Sequence, residues 1–289
     1  MALHVGEIKY TNIQPMFSKL PKQALEDEGF SFSTAVPSQL NERMAQGTVD
    51  VGGISSFEYA RHAEEYMLLP ELSVASDGAV GSIYLFSRFA AEELEGRNVA
   101  LTASSATSVH LLKLILQRSY GVQPYYRVME PDLEQMLSEC DACLLIGDDA
   151  IQASFQTEEK MYQYDLGWEW KTFTGFPMTY ALFAVRSAAA ARHPSSTERI
   201  HEAFKESRKS NEAEDFQQLT SWAHAAFGGG FDFWRCYFRT LQYRFTAEQR
   251  KGLELFYQML EEEGFLHTAP DLTFWKPEKR DAADKVDIT

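Results

Sequence analysis

The chain is short of cysteine, of positive charge and of long apolar runs, and each shortage excludes something. Three cysteines in 289 residues (Cys140, Cys143, Cys236) are an odd number and make no disulfide framework. Lys and Arg number 27 against 42 Asp and Glu, a formal net charge of −15, which argues against nucleic acid as a partner. No run of 18 apolar residues exists, so no membrane span is expected. The start, Met1 to Ile8, has no basic segment, no long apolar segment and no small-residue cleavage site. It reads as a strand, and a cytoplasmic protein is expected. The seven histidines are scattered without H-x-x-x-H or H-E-x-x-H spacing, so no metal hydrolase is indicated. There is no G-x-x-x-x-G-K-[ST] loop, no G-x-G-x-x-G after a strand and no G-x-S-x-G elbow, so ATP, NAD and hydrolase sites lack their usual signatures. Cys140 and Cys143 have C-x-x-C spacing, but residues 142–146 read as a buried strand and no second pair exists. They read as apolar core cysteines rather than a metal or redox pair.

A hydrophobic content of 45% supports an ordinary core in one large domain or two lobes. Strand-like and helix-like segments alternate from the start. Residues 3–10, 30–36, 48–54, 67–72 and 79–87 read as strands. Pro37 opens a helix that Gly47 closes, and Ser55-Ser56-Phe57-Glu58 fits a capping box. A second unit has strands at 98–101, 125–128, 142–146 and 162–165, with helices at 108–119, 131–139 and 148–155 between them. Residues 179–185 form one more strand. Helices follow at 195–210, 214–226, 231–238 and 247–263, then a charged tail from Lys276 that reads as frayed. The pattern predicts an α/β protein with largely parallel sheets. It has two lobes, 1–87 plus 178–289 and 88–177, joined by a double crossing that makes a hinge and an inter-lobe cleft. The five tryptophans read as core or lobe-packing residues.

The most informative stretch is Thr102-Ala103-Ser104-Ser105-Ala106-Thr107-Ser108, with five hydroxyls in seven residues between a strand and a helix. Such a turn aims free backbone N–H groups and hydroxyl donors at one spot suited to a carboxylate or phosphate. Other strand ends are polar too: Tyr10-Thr11-Asn12, Gly52-Gly53-Ile54-Ser55-Ser56, Gly78-Ala79-Val80-Gly81-Ser82 and Ile146-Gly147-Asp148-Asp149. Ligands of open α/β sheets bind outside the carboxyl ends of strands. Each residue also has a plain structural reading. Ser55, Asp148 and one of Thr107 and Ser108 can serve as helix caps, and Asn12 as a turn residue. Ser82 sits in an apolar run, where a buried hydroxyl needs either a backbone or a ligand partner.

Taken in order, a set of segments resembles the chorismate dehydratase family of the futalosine-type menaquinone pathway. The set is Gly6 to Asn12 with Pro15, Leu40-Asn41 with Gly47, Asp50 to Ala60, Leu69-Pro70 with Gly78 and Val80, Thr107-Ser108-Val109, Ile146-Gly147-Asp148 with Ala150, and Tyr164-Asp165-Leu166-Gly167 followed by Trp170 and Thr174-Gly175-Phe176-Pro177. The resemblance covers residues 3–185 well and the helical C-terminal third loosely. It implies a type II periplasmic-binding-protein-like fold and conversion of chorismate to 3-[(1-carboxyvinyl)oxy]benzoate by loss of water. No metal or organic cofactor is implied.

By match to the family pattern, Asn12 and Ser82 fall where substrate is touched near the reacting ring, and Thr107 and Ser108 in the carboxylate-binding turn. With Asp148 as the one obvious carboxylate, the candidate catalytic residues are Asn12, Ser82 and Asp148. The candidate substrate-binding residues are Ser55, Ser56, Ser104, Ser105, Thr107, Ser108 and Gly147. Arg61, Arg88 and Arg127 are the arginines considered as partners of a substrate carboxylate. The proton is taken either by Asp148 or by the substrate's own side-chain carboxylate. The chain departs from the family pattern at Gly81, where a larger apolar residue is common, and at Asp149, where a small one is common. The competing readings are a non-catalytic binding protein of the same fold, the enzyme of the same pathway that makes 1,4-dihydroxy-6-naphthoate, and a ligand-responsive regulatory domain.

Overall fold

A computed structural model describes residues 2–156 and 161–277. Among the described residues eleven strands form two sheets: β1 (His4–Ile8), β2 (Ser31–Ala35), β3 (Val51–Ser55), β4 (Tyr66–Ser76), β5 (Ile83–Ser87), β6 (Asn98–Thr102), β7 (Tyr125–Met129), β8 (Ala142–Ile146), β9 (Tyr162–Asp165), β10 (Met178–Arg186) and β11 (Leu241–Gln242). The first sheet runs β11-β4-β10-β3-β1-β2 and the second β7-β6-β8-β5-β9.

The local rules read from the sequence operate. Pro37 opens the helix Pro37–Gln46, its fixed φ suiting a first-turn position, and Gly47 closes it with φ 75°. Ser55 caps Ser56–Arg61 by accepting from the Glu58 amide at 3.2 Å. The Glu58 side chain does not return the bond; it accepts instead from the Tyr66 hydroxyl at 3.3 Å, so only half of the expected capping box forms.

Two expectations are corrected. The sheets are mixed rather than largely parallel: β10 lies antiparallel between β3 and β4, and β5 lies antiparallel between β8 and β9. A strand buried on both faces reads the same in either direction, so apolar pattern alone does not distinguish the two. The segment 83–87, assigned to the first lobe, pairs in the second sheet. Sheet membership therefore places the outward crossing at residues 77–82 and the return at 175–177.

Of the C-terminal helices, Pro194–Ala213 packs on β4 and Ala247–Glu262 on β10, while Phe227 and Phe233 meet Gln152 and Phe155 of the second lobe. Of the tryptophans, Trp170, Trp234 and Trp275 are buried, whereas Trp168 and Trp222 are exposed. Cys140 and Cys143 lie in a small core of the second lobe with Phe86, Met136 and Leu145, and burial pushes the Cys143 thiol up to about 12. Among the described residues no helix is long and apolar enough to cross a membrane. The tail expected to fray lies, beyond Pro277, outside the described residues.

The helix Ala247–Glu262 meets the return crossing at Gly252. A β-carbon there would press into the Pro177 carbonyl oxygen and stand 3.3 Å from Phe176 Cβ. Backbone cannot yield as a side-chain tip can, so Gly252→Ala is expected to cost about 1–3 kcal/mol, the usual range for overpacking. Denaturant unfolding checks it; a midpoint equal to wild type would show that the helix shifts freely.

Candidate functional site

The carboxyl ends of β1 and β8, from different sheets, meet across the cleft. After β1 the chain makes a single turn of 3-10 helix, Thr11–Ile13, and after β8 it enters the helix Gly147–Gln156. Both the backbone N–H and the hydroxyl of Thr11 donate to Asp148 Oδ1, at 3.2 and 2.6 Å. Beside them the Tyr10 hydroxyl donates to Asp149 Oδ2 at 3.3 Å. The Tyr10 ring lies on Gly147, which has φ 59°; a β-carbon there would stand 2.8–2.9 Å from three ring atoms. Gly147 is thus both a left-handed turn and the floor for an aromatic ring.

The outward crossing is held by Asp165. Its carboxylate caps Leu166–Thr174 through the amides of Gly167 and Trp168 and accepts from the amides of Val80 and Gly81 at 2.7–3.0 Å. That grip places Ser82, whose carbonyl accepts from the Gly147 amide at 2.7 Å. The Ser82 hydroxyl is buried and has no hydrogen-bond partner. Neither does the hydroxyl of Tyr237, which reaches the same place from the helix Phe231–Thr240. Its nearest polar neighbours are the Ser82 and Thr11 hydroxyls, which lower its titration as hydrogen-bonding groups while Asp148 raises it, although none forms a full bond to it.

A second group gathers where two helix N-termini meet. Ser105 caps Ala106–Leu114 by accepting from the Ser108 amide at 3.2 Å, and its hydroxyl donates to Ser108 Oγ. Thr107 Oγ1 accepts from the Phe57 amide at 2.9 Å, joining this helix to Ser56–Arg61 in the other lobe. Ser55 accepts from both Asn41 Nδ2 and Glu58 N. In these bonds Ser55, Thr107 and Ser108 act as acceptors, so each keeps its hydroxyl proton for another acceptor. Ser56 differs: its proton goes to the Thr179 carbonyl at 2.7 Å, inside the core. Ser104 bonds to Thr102 and also lowers the titration of Tyr10.

Ser82, Gly147, Asp148 and Ser104 therefore gather around Tyr10 and Thr11, with Asn12 next in the same turn and half-buried. Ser55, Thr107, Ser105 and Ser108 form the helix-end group, and Ser56 faces away from it. Asp148 bonds across the cleft to Thr11, not to its own helix as a cap. Arg88 donates to the Cys140 carbonyl, Arg127 pairs with Glu139 on an edge strand, and Arg61 ends its helix beside Glu58; none joins the Thr11–Asp148 cluster. Sequence reasoning missed Thr11 and Tyr10 as members, although both lie in a strand-end segment already singled out. It also missed Tyr237, which sits in an aromatic-rich helix that reads as core.

Burial raises Asp148 to about 6, against the lowering pull of the two Thr11 bonds; Asp149 adds to the rise and Lys9 opposes it. Burial likewise raises Tyr10 to about 12, so it stays a neutral donor.

A sequence model described as menaquinone biosynthesis matches residues 3–262. A chorismate dehydratase of Thermus thermophilus is 42% identical over 149 residues, 52% of this chain and 52% of the relative, so the match spans about half the length of that curated protein. Among solved structures, the protein AF1704 of Archaeoglobus fulgidus superposes with a TM-score of 0.71 at 18% identity, covering 92% of this chain and 98% of the other. The periplasmic aliphatic sulphonate binding protein SsuA of Escherichia coli gives 0.67 at 15% identity, covering 96% and 92%. At such identities the likeness shows the fold, that of periplasmic binding proteins.

Because Asp148 binds its proton more tightly folded than unfolded, its contribution to stability is present at low pH and is lost as pH rises through about 6. Asp148→Asn keeps an acceptor for Thr11 but no titrating group. Measured against that variant, wild type should lose stability between about pH 4 and about 6.5, then hold a constant difference. Denaturant midpoints across that range check it; a difference independent of pH would mean an unshifted carboxyl.

Proposed function

The chain belongs to the menaquinone biosynthesis family, and from that membership we propose that it is a hydro-lyase converting chorismate to 3-[(1-carboxyvinyl)oxy]benzoate in the inter-lobe cleft. The relative from Thermus thermophilus supports the substrate. The observation that carries the reading is the Ser82 hydroxyl, buried without a well-formed hydrogen bond beside the β1 and β8 ends that Thr11 and Asp148 bring together. A buried hydroxyl so placed, at the carboxyl ends of the strands, is free to donate to a ligand acceptor.

Chorismate carries two carboxylates. One is conjugated with the ring diene, so electrons released when the ring C–H bond breaks flow toward it. Hydroxyl donors at that carboxylate stabilise the charge as it builds, and this favours proton loss before hydroxide departure. Asn12 and Ser82 take positions near the reacting ring. The helix end at Ser105, Thr107 and Ser108, with Ser55 opposite, receives a carboxylate through backbone N–H groups and the spare hydroxyl protons of Ser55, Thr107 and Ser108, with Ser104 beside it at Tyr10. Aromatisation drives the second step, so the protein's task is orientation and electrostatics. The substrate's side-chain carboxylate takes the ring proton, and Asp148, occupied by Thr11, holds the lobes together over the bound molecule. Closed lobes exclude water from the reacting ring.

Incubation of the purified chain with chorismate should yield an aromatic product visible in the ultraviolet. Ligand binding without product would make it a binding protein instead. Asn12→Ala and Ser82→Ala should each lower turnover by about 10²–10³ with little change in stability; near-normal turnover in both would remove them from the site. Asp148→Asn should stay within about tenfold of wild type. A loss of about four orders of magnitude with binding intact would make Asp148 the base.

A further inference from the structure

Tyr237 is 4% exposed, and its hydroxyl makes no well-formed hydrogen bond. The ring is fixed on three sides by aromatics: Phe233 stacks at 6.2 Å, Trp234 meets it edge-on at 5.7 Å and Phe238 lies tilted at 5.6 Å. On the fourth side is Gly81, at φ 72°, whose absent β-carbon would stand 3.3 Å from the ring. Phenylalanine would fill this space equally well. A buried hydroxyl without a well-formed hydrogen bond is a cost that phenylalanine at the same site would not carry. Burial holds the phenol well above its usual pKa, and it is a donor at any physiological pH. Its polar surroundings are Ser82, Thr11 and Asp148. Ser82 and Thr11 lower its titration as hydrogen-bonding neighbours, so the Tyr237 and Ser82 hydroxyls face each other without a fully formed bond between them.

We propose that Tyr237 is a substrate-contacting catalytic residue, its phenol donating with Ser82 to the ring carboxylate that gains charge as the ring proton leaves. The assignment rests on the chorismate reading above. It matches the chemistry of the cleft, where a dianionic substrate enters an acidic protein and the described donors at the Thr11–Asp148 cluster are neutral. Two neutral donors aimed at one developing oxyanion stabilise the transition state more than the ground state.

Tyr237→Phe tests this, with Tyr243→Phe beside it. Tyr243 is a neighbouring buried phenol that also lacks a partner, and its titration answers to Tyr237 and Glu212 rather than to Ser82 or Asp148. In Tyr237→Phe, kcat for chorismate should fall about 10²–10³. The ligand-free Tm should be equal or higher, and the Tm gain on adding chorismate smaller. Tyr243→Phe should keep wild-type kcat. A Tyr237→Phe enzyme within threefold of wild-type kcat overturns the proposal and leaves the dehydratase reading standing. A drop in its ligand-free Tm, or an equal kcat loss in Tyr243→Phe, overturns it too, as general loosening of the aromatic cluster. A wild-type chain inert toward chorismate removes both readings together.

Discussion

Two hydrogen bonds from Thr11 to a single oxygen of Asp148 set the geometry of the cleft. They bind the end of β1, in one sheet, to the end of β8, in the other. Tyr10 is carried onto Gly147 as a result, and the Gly147 amide in turn fixes the Ser82 carbonyl. Asp165 works from the opposite side, gripping the amides of Val80 and Gly81. Ser82 is thus positioned by backbone bonds on both flanks while its own hydroxyl stays uncommitted. This is how a hydroxyl can be buried, placed and unsatisfied at once: the cost of the open valence is offset by rigid main-chain contacts around it.

The electrostatics of the cleft follow from the overall charge. A chain at −15 cannot rely on its far field to draw in an anion. Recognition must be short-range, through hydroxyls, amides and helix-end N–H groups whose dipoles act at contact distance. The arginines considered for a substrate carboxylate, Arg88, Arg127 and Arg61, are spent on Cys140 and Glu139, or end a helix outside the Thr11–Asp148 cluster. Asp148 stands at the centre of this neutral set. Its raised pKa reflects the same low-polarity surroundings that make each neutral donor more effective than it would be in water.

Much of this was legible from local chemistry. Pro37 and Gly47 mark a helix because proline suits a first turn and glycine a left-handed close. Ser82 stood out because a hydroxyl in an apolar run must find a partner. The hydroxyl-rich turn announced a helix end, and the ordered set of segments pointed to the family whose model matches residues 3–262. Strand direction was not legible. β10 is apolar along its length and buried on both faces, so nothing in its pattern distinguishes antiparallel insertion from parallel continuation. The lobe assignment of β5 failed because an apolar run does not show which of two sheets it joins. Tyr237 was invisible because five aromatics crowd residues 231–238, and only the folded chain shows which ring carries its hydroxyl to Ser82.

The double crossing also imposes an order on assembly. The second sheet is drawn from one unbroken stretch, β5 to β9, so it can close as soon as that stretch has left the ribosome. The first sheet cannot. Its interior strand β10 lies between β4 and β3, yet it is made only after the whole second lobe. Until then β1, β2 and β3 form a half-sheet with β3's edge open, and β4 has no neighbour to join it to them. The lobe that begins the chain is therefore the last to be finished. Its contacts span the largest sequence separations, and the closure of β10 into the gap is the slow, non-local step expected to limit folding of the whole molecule.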